Sequence, residues 1–434
     1  MKFRSIAVLA LFALNPALPL QAESSATLID DKKLEKQVIK WRRHFHENPE
    51  LSNREFETSK TVARALRKMG LDVKEGIAHT GVSALLVGGK PGPLVALRAD
   101  MDGLPVTEET DVPFKSKALG TYQGKEVGVM HACGHDTHMA MLLGAARALT
   151  AQKDDLQGSV LFIFQPAEEG APAGEEGGAK LMLEEGLFDK AKPDAVFGLH
   201  VFSNLPTGFV GYRSGPAMAA SDRFEIKVSG RQTHGARPWG GVDPIVVAAQ
   251  IVSATQTIAS RQVDVTKAPS IVSYGIVRGG VRNNIIPDSV HLEGTIRNFD
   301  MGIRDKIHAR LEKMATTIAD ASGAKAEVTI HHGYPVTIND PGLTEQMLPT
   351  VKAIAGAERV VETPLVTGAE DFSYYALQTP GLFLYLGVTP PGTDSKSAPS
   401  NHSPLFFADE DALITGVSLL TGLTTDYMAQ HAAN

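Results

Sequence analysis

Ser159-Val160-Leu161-Phe162-Ile163-Phe164-Gln165-Pro166-Ala167-Glu168-Glu169 holds a short apolar run, stopped by a proline and followed at once by two carboxylates. The run is too short for an ordinary helix and rich in β-prone residues, so it reads as a buried strand with an abrupt end. Similar runs stand at Ser83–Val87, Leu94–Leu97 and Ala195–Leu199, each bounded by Gly, Pro or Asp. Helical patterns separate them at Thr137–Thr150 and Ala179–Glu185. Two more helices fill Lys33–Met69, the second from about Arg54, broken at Asn48-Pro49-Glu50. Alternation of this kind predicts an α/β fold with a mostly parallel sheet covered by helices. In such sheets ligands gather where strands end, and there lie Asp100 and Asp102, Glu168 and Glu169, and His200.

Near Ala217 the texture changes. Arg223–Val228, Ser270–Val277 and Val290–Ile296 alternate with period two, while Pro244–Ala259 and Asp300–Ala319 read as helices, and a last strand falls near Glu327–His331. This βαββαβ-like block predicts a smaller α+β domain, residues 217–332, inserted into a larger one made of residues 23–216 and 333–434. The opening texture then returns, with a helix near Gln346–Ala355 and a strand at Leu382–Gly387.

With 434 residues, 43% of them hydrophobic, the chain has ample material for two cores. Lys2 and Arg4, the apolar run Ile6–Leu14 and Leu20-Gln21-Ala22 have the three-part form of a secretory signal peptide, residues 1–22. Its removal takes away two cations and no acid, moving the formal charge from -7 to -9. The mature chain is then expected outside the cytoplasm, periplasmic or secreted, with no membrane span. Its acidity argues against nucleic-acid or anionic-membrane partners. A single cysteine excludes an internal disulfide.

That cysteine, Cys133, lies in Met130-His131-Ala132-Cys133-Gly134-His135-Asp136-Thr137-His138. In an extended segment Cys133 and His135 point the same way, and a thiolate with an imidazole is a partial metal site. A core thiol beside a surface histidine is the plainer reading. Asp136 can cap the following helix or hold a ligating imidazole in its tautomer. Of Glu168 and Glu169, one can bind a cation while the other takes a proton from water; Glu175-Glu176, in the same Gly-rich loop, competes for the role. With His200 and with His402 in Ser400-Asn401-His402-Ser403-Pro404, Cys133, His135 and Glu169 make five potential ligands, which suits two cations better than one. In the inserted block, His234, Asn284 and Arg297 are donors suited to a substrate carbonyl or carboxylate.

Taken in order, Arg42–Glu50, Arg98–Pro105, His131–His138, Gln165–Gly170, Gly198–His200, the His234 loop, Asn284–Pro287, Gly368–Phe372 and Asn401–Pro404 resemble the M20 metallopeptidase family. The branch is that of amidohydrolases acting on N-acyl amino acids, hippurate and indole-acetyl amino acids. The resemblance implies a catalytic α/β domain with an inserted lid that often mediates dimerisation. It implies two divalent ions on Cys133, His135, Glu169, His200 and His402, with Glu168 as general base. Asp102 falls where the family keeps an acidic residue behind the ligands, and His234 matches a histidine that polarises the scissile carbonyl, within one subunit or across a dimer. Asn284 and Arg297 are assigned to substrate binding. Gly170–Gly178 is longer than the family's glycine-rich stretch. The mixed S, N and O ligand set admits manganese or zinc first, and cobalt or nickel also. The expected function is hydrolysis of an N-acyl amino acid, acetyl, benzoyl or indole-acetyl, to a carboxylic acid and a free amino acid. A dipeptidase or carboxypeptidase, a cysteine hydrolase built on Cys133, and an exported binding protein that closes on a small ligand are the rivals.

Overall fold

The computed structural model describes Ser24 and residues 26–432, so the segment read as a signal peptide lies outside the described residues. An eight-stranded sheet runs in the order Asp72–Ile77, Gly81–Val87, Gln157–Gln165, Lys90–Asp100, Ala195–Pro206, Gly381–Thr389, Val210–Tyr212, Val360–Glu362. The four middle strands are mutually parallel. Their inner stretches are buried on both faces, as an interior parallel sheet requires, which explains the unbroken apolar runs. One face packs Leu97, Phe162 and Phe197 beneath Leu142 and Leu420 of the helices His135–Ala151 and Leu413–Gln430. The other carries Ile163 and Phe383 against Met182 and Phe372.

The strands outrun their apolar cores because polar residues continue the pairing. Lys90–Asp100 includes Arg98 and Asp100, and Gln157–Gln165 ends on Gln165. Ala195–Leu199 does not stop at His200 as expected; the strand continues to Pro206, with His200 opposite Tyr385. The neighbouring strand pairs with it only as far as Gly198, so His200 still stands just past a local sheet edge.

A second sheet of four antiparallel strands has the order Ser270–Gly279, Ser289–Asn298, Ala220–Ser229, Lys325–His332. Phe224, Ile226 and Val228 alternate inward onto Ile251 of the helix Pro244–Thr255 and Ile307 and Leu311 of Met301–Ala321, a core separate from that of the large sheet. The first of these helices stops short of Ala259, and a π-helical turn, Ile258–Gln262, follows.

The two crossings between the parts are held together. Ser221 N–H donates to the Tyr334 carbonyl at 3.0 Å. Beside it, buried Asp222 accepts from Arg304 Nε at 2.8 Å, from Arg304 Nη2, from His308 at 2.7 Å and from Gly333 N–H at 3.1 Å. These donors outweigh the burial that would raise its pKa and hold the carboxyl below the usual range. Asp222→Ala leaves the Arg304 guanidinium buried without its partner, so thermal unfolding should show a loss of about 3–5 kcal/mol. An unchanged midpoint would show that the crossing does not depend on this pair.

Candidate metal centre

Cys133 and His135 are not presented by an extended segment. Gly134 has φ +94° and starts the helix His135–Ala151 in a left-handed turn; a β-carbon there would lie 2.3 Å from Val201 Cγ2. The turn nonetheless brings ligand atoms of Cys133, His135 and His200 within 4.8 Å of one another. The sets Cys133, Glu169, His402 and His135, Glu168, Glu169 meet the same limit. Cys133 Sγ lies 3.3 Å from His200 Nε2 and 3.2 Å from His402 Nε2, and the latter is 3.2 Å from Glu169 Oε1.

Each ligand is held from behind. His200 Nδ1 donates to the Val201 carbonyl at 2.8 Å, which turns Nε2 toward the thiol. His135 Nδ1 donates to the Asp102 carbonyl at 2.9 Å, and its Nε2 lies 4.0 Å from carboxylate oxygens of both Glu168 and Glu169. The Asp102 carboxylate accepts from Glu168 N–H at 3.1 Å, Glu169 N–H at 3.0 Å and Ser52 Oγ at 2.7 Å. His402, at φ +70°, is anchored by its N–H on the Ala132 carbonyl at 2.8 Å. The amide of Asn401 bridges the carbonyls of Cys133 and Val201, both at 3.0 Å.

The donor set fits divalent cations. His135 Nε2 is buried with no hydrogen-bond partner among the described residues, and buried Glu169 Oε1 has His402 Nε2 as its near neighbour; both atoms face the cluster. Burial, then the charges of Glu169 and Glu168, push the Cys133 thiol well up, a balance that a bound cation would reverse. Burial, with His138 adding to it, keeps His200 neutral and able to ligate. Burial also works against a charged His135, but Asp100, Asp102 and Glu169 outweigh it and raise that group to about 10. Burial, with Glu370 and Glu169, pushes Glu168 well above the carboxylate range. Six acids crowd this region: Asp100, Asp102, Glu168, Glu169, Glu370 and Asp371. Arg98 meets Asp100, Glu370 and Asp371 at 2.7–2.9 Å, too little positive charge for the whole set.

Glu168, Glu169, His200, His402, Cys133 and Arg297 line one cleft of about 440 Å³. Phe202, Met218 and Val366 supply its apolar wall. Glu175 does not compete with Glu168: its carboxylate is paired with Arg54 and Asn53. Asp136 neither caps the helix nor orients a ligand, since Gly134 is the cap. It is buried in an ion pair with Arg42 and takes a hydrogen bond from His46, both at 2.9 Å. His234 is exposed on a two-residue ribbon against Ile285, and neither it nor Asn284 lines the cleft. His138 resembles a ligand but has both nitrogens in use, Nδ1 toward Asp100 at 2.5 Å and Nε2 accepting from Val201 N–H at 2.9 Å. Arg98, Glu370 and Asp371 join the site without a role expected from the sequence, although Glu370-Asp371 repeats the carboxylate doublet of Glu168-Glu169. Tyr334, whose hydroxyl donates to the Glu168 carbonyl at 2.5 Å, carried no signal at all.

Comparison with known proteins places the chain in a family. The family model described as Peptidase family M20/M25/M40 matches residues 96–426. Thermostable carboxypeptidase 2 of Saccharolobus solfataricus is 43% identical over 390 residues, covering 89% of this chain and 94% of that one. N-acetyl-L-cysteine deacetylase of Bacillus subtilis is 40% identical, covering 92% and 90%. A solved Bacillus subtilis structure, described as a dinuclear metal binding peptidase from the M20 family, superposes with a TM-score of 0.76 at 34% identity, covering 92% and 99%. The chain belongs to the M20 family of metal-dependent hydrolases of amides.

Proposed function

We propose that this hydrolase cleaves N-acyl amino acids to a carboxylic acid and a free amino acid. The observation that carries the reading is Arg297: half-buried, in the same cleft as Glu168, and without an ion pair among the described residues. A guanidinium left without an acid in a cleft is a receptor for a substrate carboxylate. Phe202, Met218 and Val366 then face the acyl side. Of the three acids in the cleft, Glu168 is the proton-transfer group, Glu169 belongs to the ligand set and Glu370 is engaged by Arg98, so none is free to pair an α-ammonium group. This favours N-acyl substrates over dipeptides.

Cys133, His135, Glu169, His200 and His402 would hold two divalent cations, manganese or zinc in the first instance. When bound, these would lower the pKa of water and polarise the amide oxygen. Glu168 supplies the proton chemistry. Its carboxylate takes a proton from the attacking water and passes it to the departing nitrogen. Tyr334, bound to the Glu168 carbonyl, and Asp102, bound to the Glu168 and Glu169 amides, fix where that carboxylate starts. His234 and Asn284 lie outside the cleft of their own chain, and we assign them to the cleft of a second copy, in a homodimer joined through the inserted domain.

A panel of N-acetyl, N-benzoyl and indole-acetyl amino acids and dipeptides, run on chelated protein reloaded with single metals, tests the substrate class. N-acyl amino acids should turn over best, and Arg297→Met should cost at least ~tenfold in kcat/KM; preferential cleavage of dipeptides would overturn the reading. Glu168→Gln should retain its metal by elemental analysis while kcat drops by roughly 10²–10⁴. Mixed and refolded, the inactive variants Glu168→Gln and His234→Ala should restore activity if His234 serves the partner's cleft. No recovery would place its action within one chain.

A further inference from the structure

We infer that the groove between the helices Lys32–Glu47, Phe56–Lys68 and His135–Ala151 is a second ligand site, for an anionic amphiphile: a carboxylate or phosphate on an apolar body. The groove encloses about 540 Å³, within the range of small-molecule sites. Trp41, Ala65 and Met69, all half-buried, form its floor, and Arg64, Lys68 and Arg147 stand exposed around it. No acid lines it, although the chain as a whole carries a net charge of -7.

The three cations are also uncommitted. Neighbouring Lys60 and Arg67 pair with Glu57 and Glu75, whereas Arg64, Lys68 and Arg147 have no ion pair among the described residues. Asp31, the acid that senses Arg147, instead caps the first helix through the Lys33 and Leu34 amides. Convergent cations over an apolar floor select a charged head with an apolar tail, because head and tail are desolvated together only if both are matched. The site is separate from the metal centre. Arg147 follows His135 on one helix by twelve residues, about 18 Å at 1.5 Å per residue.

Trp41 is a built-in reporter, since the other tryptophan, Trp239, is 77% exposed and far along the chain. On metal-loaded full-length protein carrying Trp239→Phe, octanoate and octyl phosphate should each be titrated below micellar concentration, with octan-1-ol as the neutral control. A saturable change in Trp41 emission is expected with at least one anion, tighter by tenfold or more than with the alcohol. Arg64→Gln with Arg147→Gln should weaken it at least tenfold while leaving amide hydrolysis unchanged. Which anion binds tells carboxylate from phosphate. No saturable change with either anion, equal affinity for octan-1-ol, or indifference to the double substitution would overturn the site.

Discussion

The carboxylate of Asp102 is the fixed point on which the centre depends. It is fully buried and takes hydrogen bonds from the Glu168 and Glu169 amides and from Ser52, while its own backbone carbonyl receives His135 Nδ1–H. One residue thus sets the position of the proton-transfer group and of two ligands. Hydrogen bonds to a charged acceptor are worth about 1.5–3 kcal/mol each, and losing this acceptor would leave buried amides unpaired. The turn that follows the strand Gln157–Gln165, with Ala167 at φ +51°, is held by two carboxylates, Glu55 on the Ala167 amide and Asp102 on the next two.

Around Asp102 the interior holds more carboxyl groups than Arg98 can pair. Burial drives Glu370 to about 8 and Asp371 to about 6 even with that guanidinium beside them. Such an arrangement is expensive in a low-dielectric interior unless cations complete it. Cations held beside Glu168 and Glu169 would offset part of this cost, so metal loading is expected to stabilise the layer.

Much of this was legible in the sequence because it is local. Apolar runs ending at Pro166 or before His200 mark buried parallel strands, and the residues just past those runs are the ones that reach the site. What was not legible depends on distant partners. Asp136 looked like a helix cap, but Arg42 and His46 claim it from a helix that lies far earlier in the chain. Glu175-Glu176 resembles Glu168-Glu169 in sequence, but Arg54 binds the first of them. His138 carries the same letter as the true candidates, and only the hydrogen bonds at both its nitrogens remove it. Arg98 opens a recognisable motif, but its partners Glu370 and Asp371 lie far along the chain, and Tyr334 has no distinguishing neighbours in sequence, so both roles emerge only when the strands are assembled.

His402 has a consequence in time as well as in space. Four of the candidate ligands come from residues 133–200, but the fifth, tied by its backbone to Ala132, arrives only after the second sheet and the strand Gly381–Thr389 have been made. A nascent or truncated chain can present a partial chelate but not the whole set. Acquisition of the complete centre thus reports that synthesis has passed its last strand.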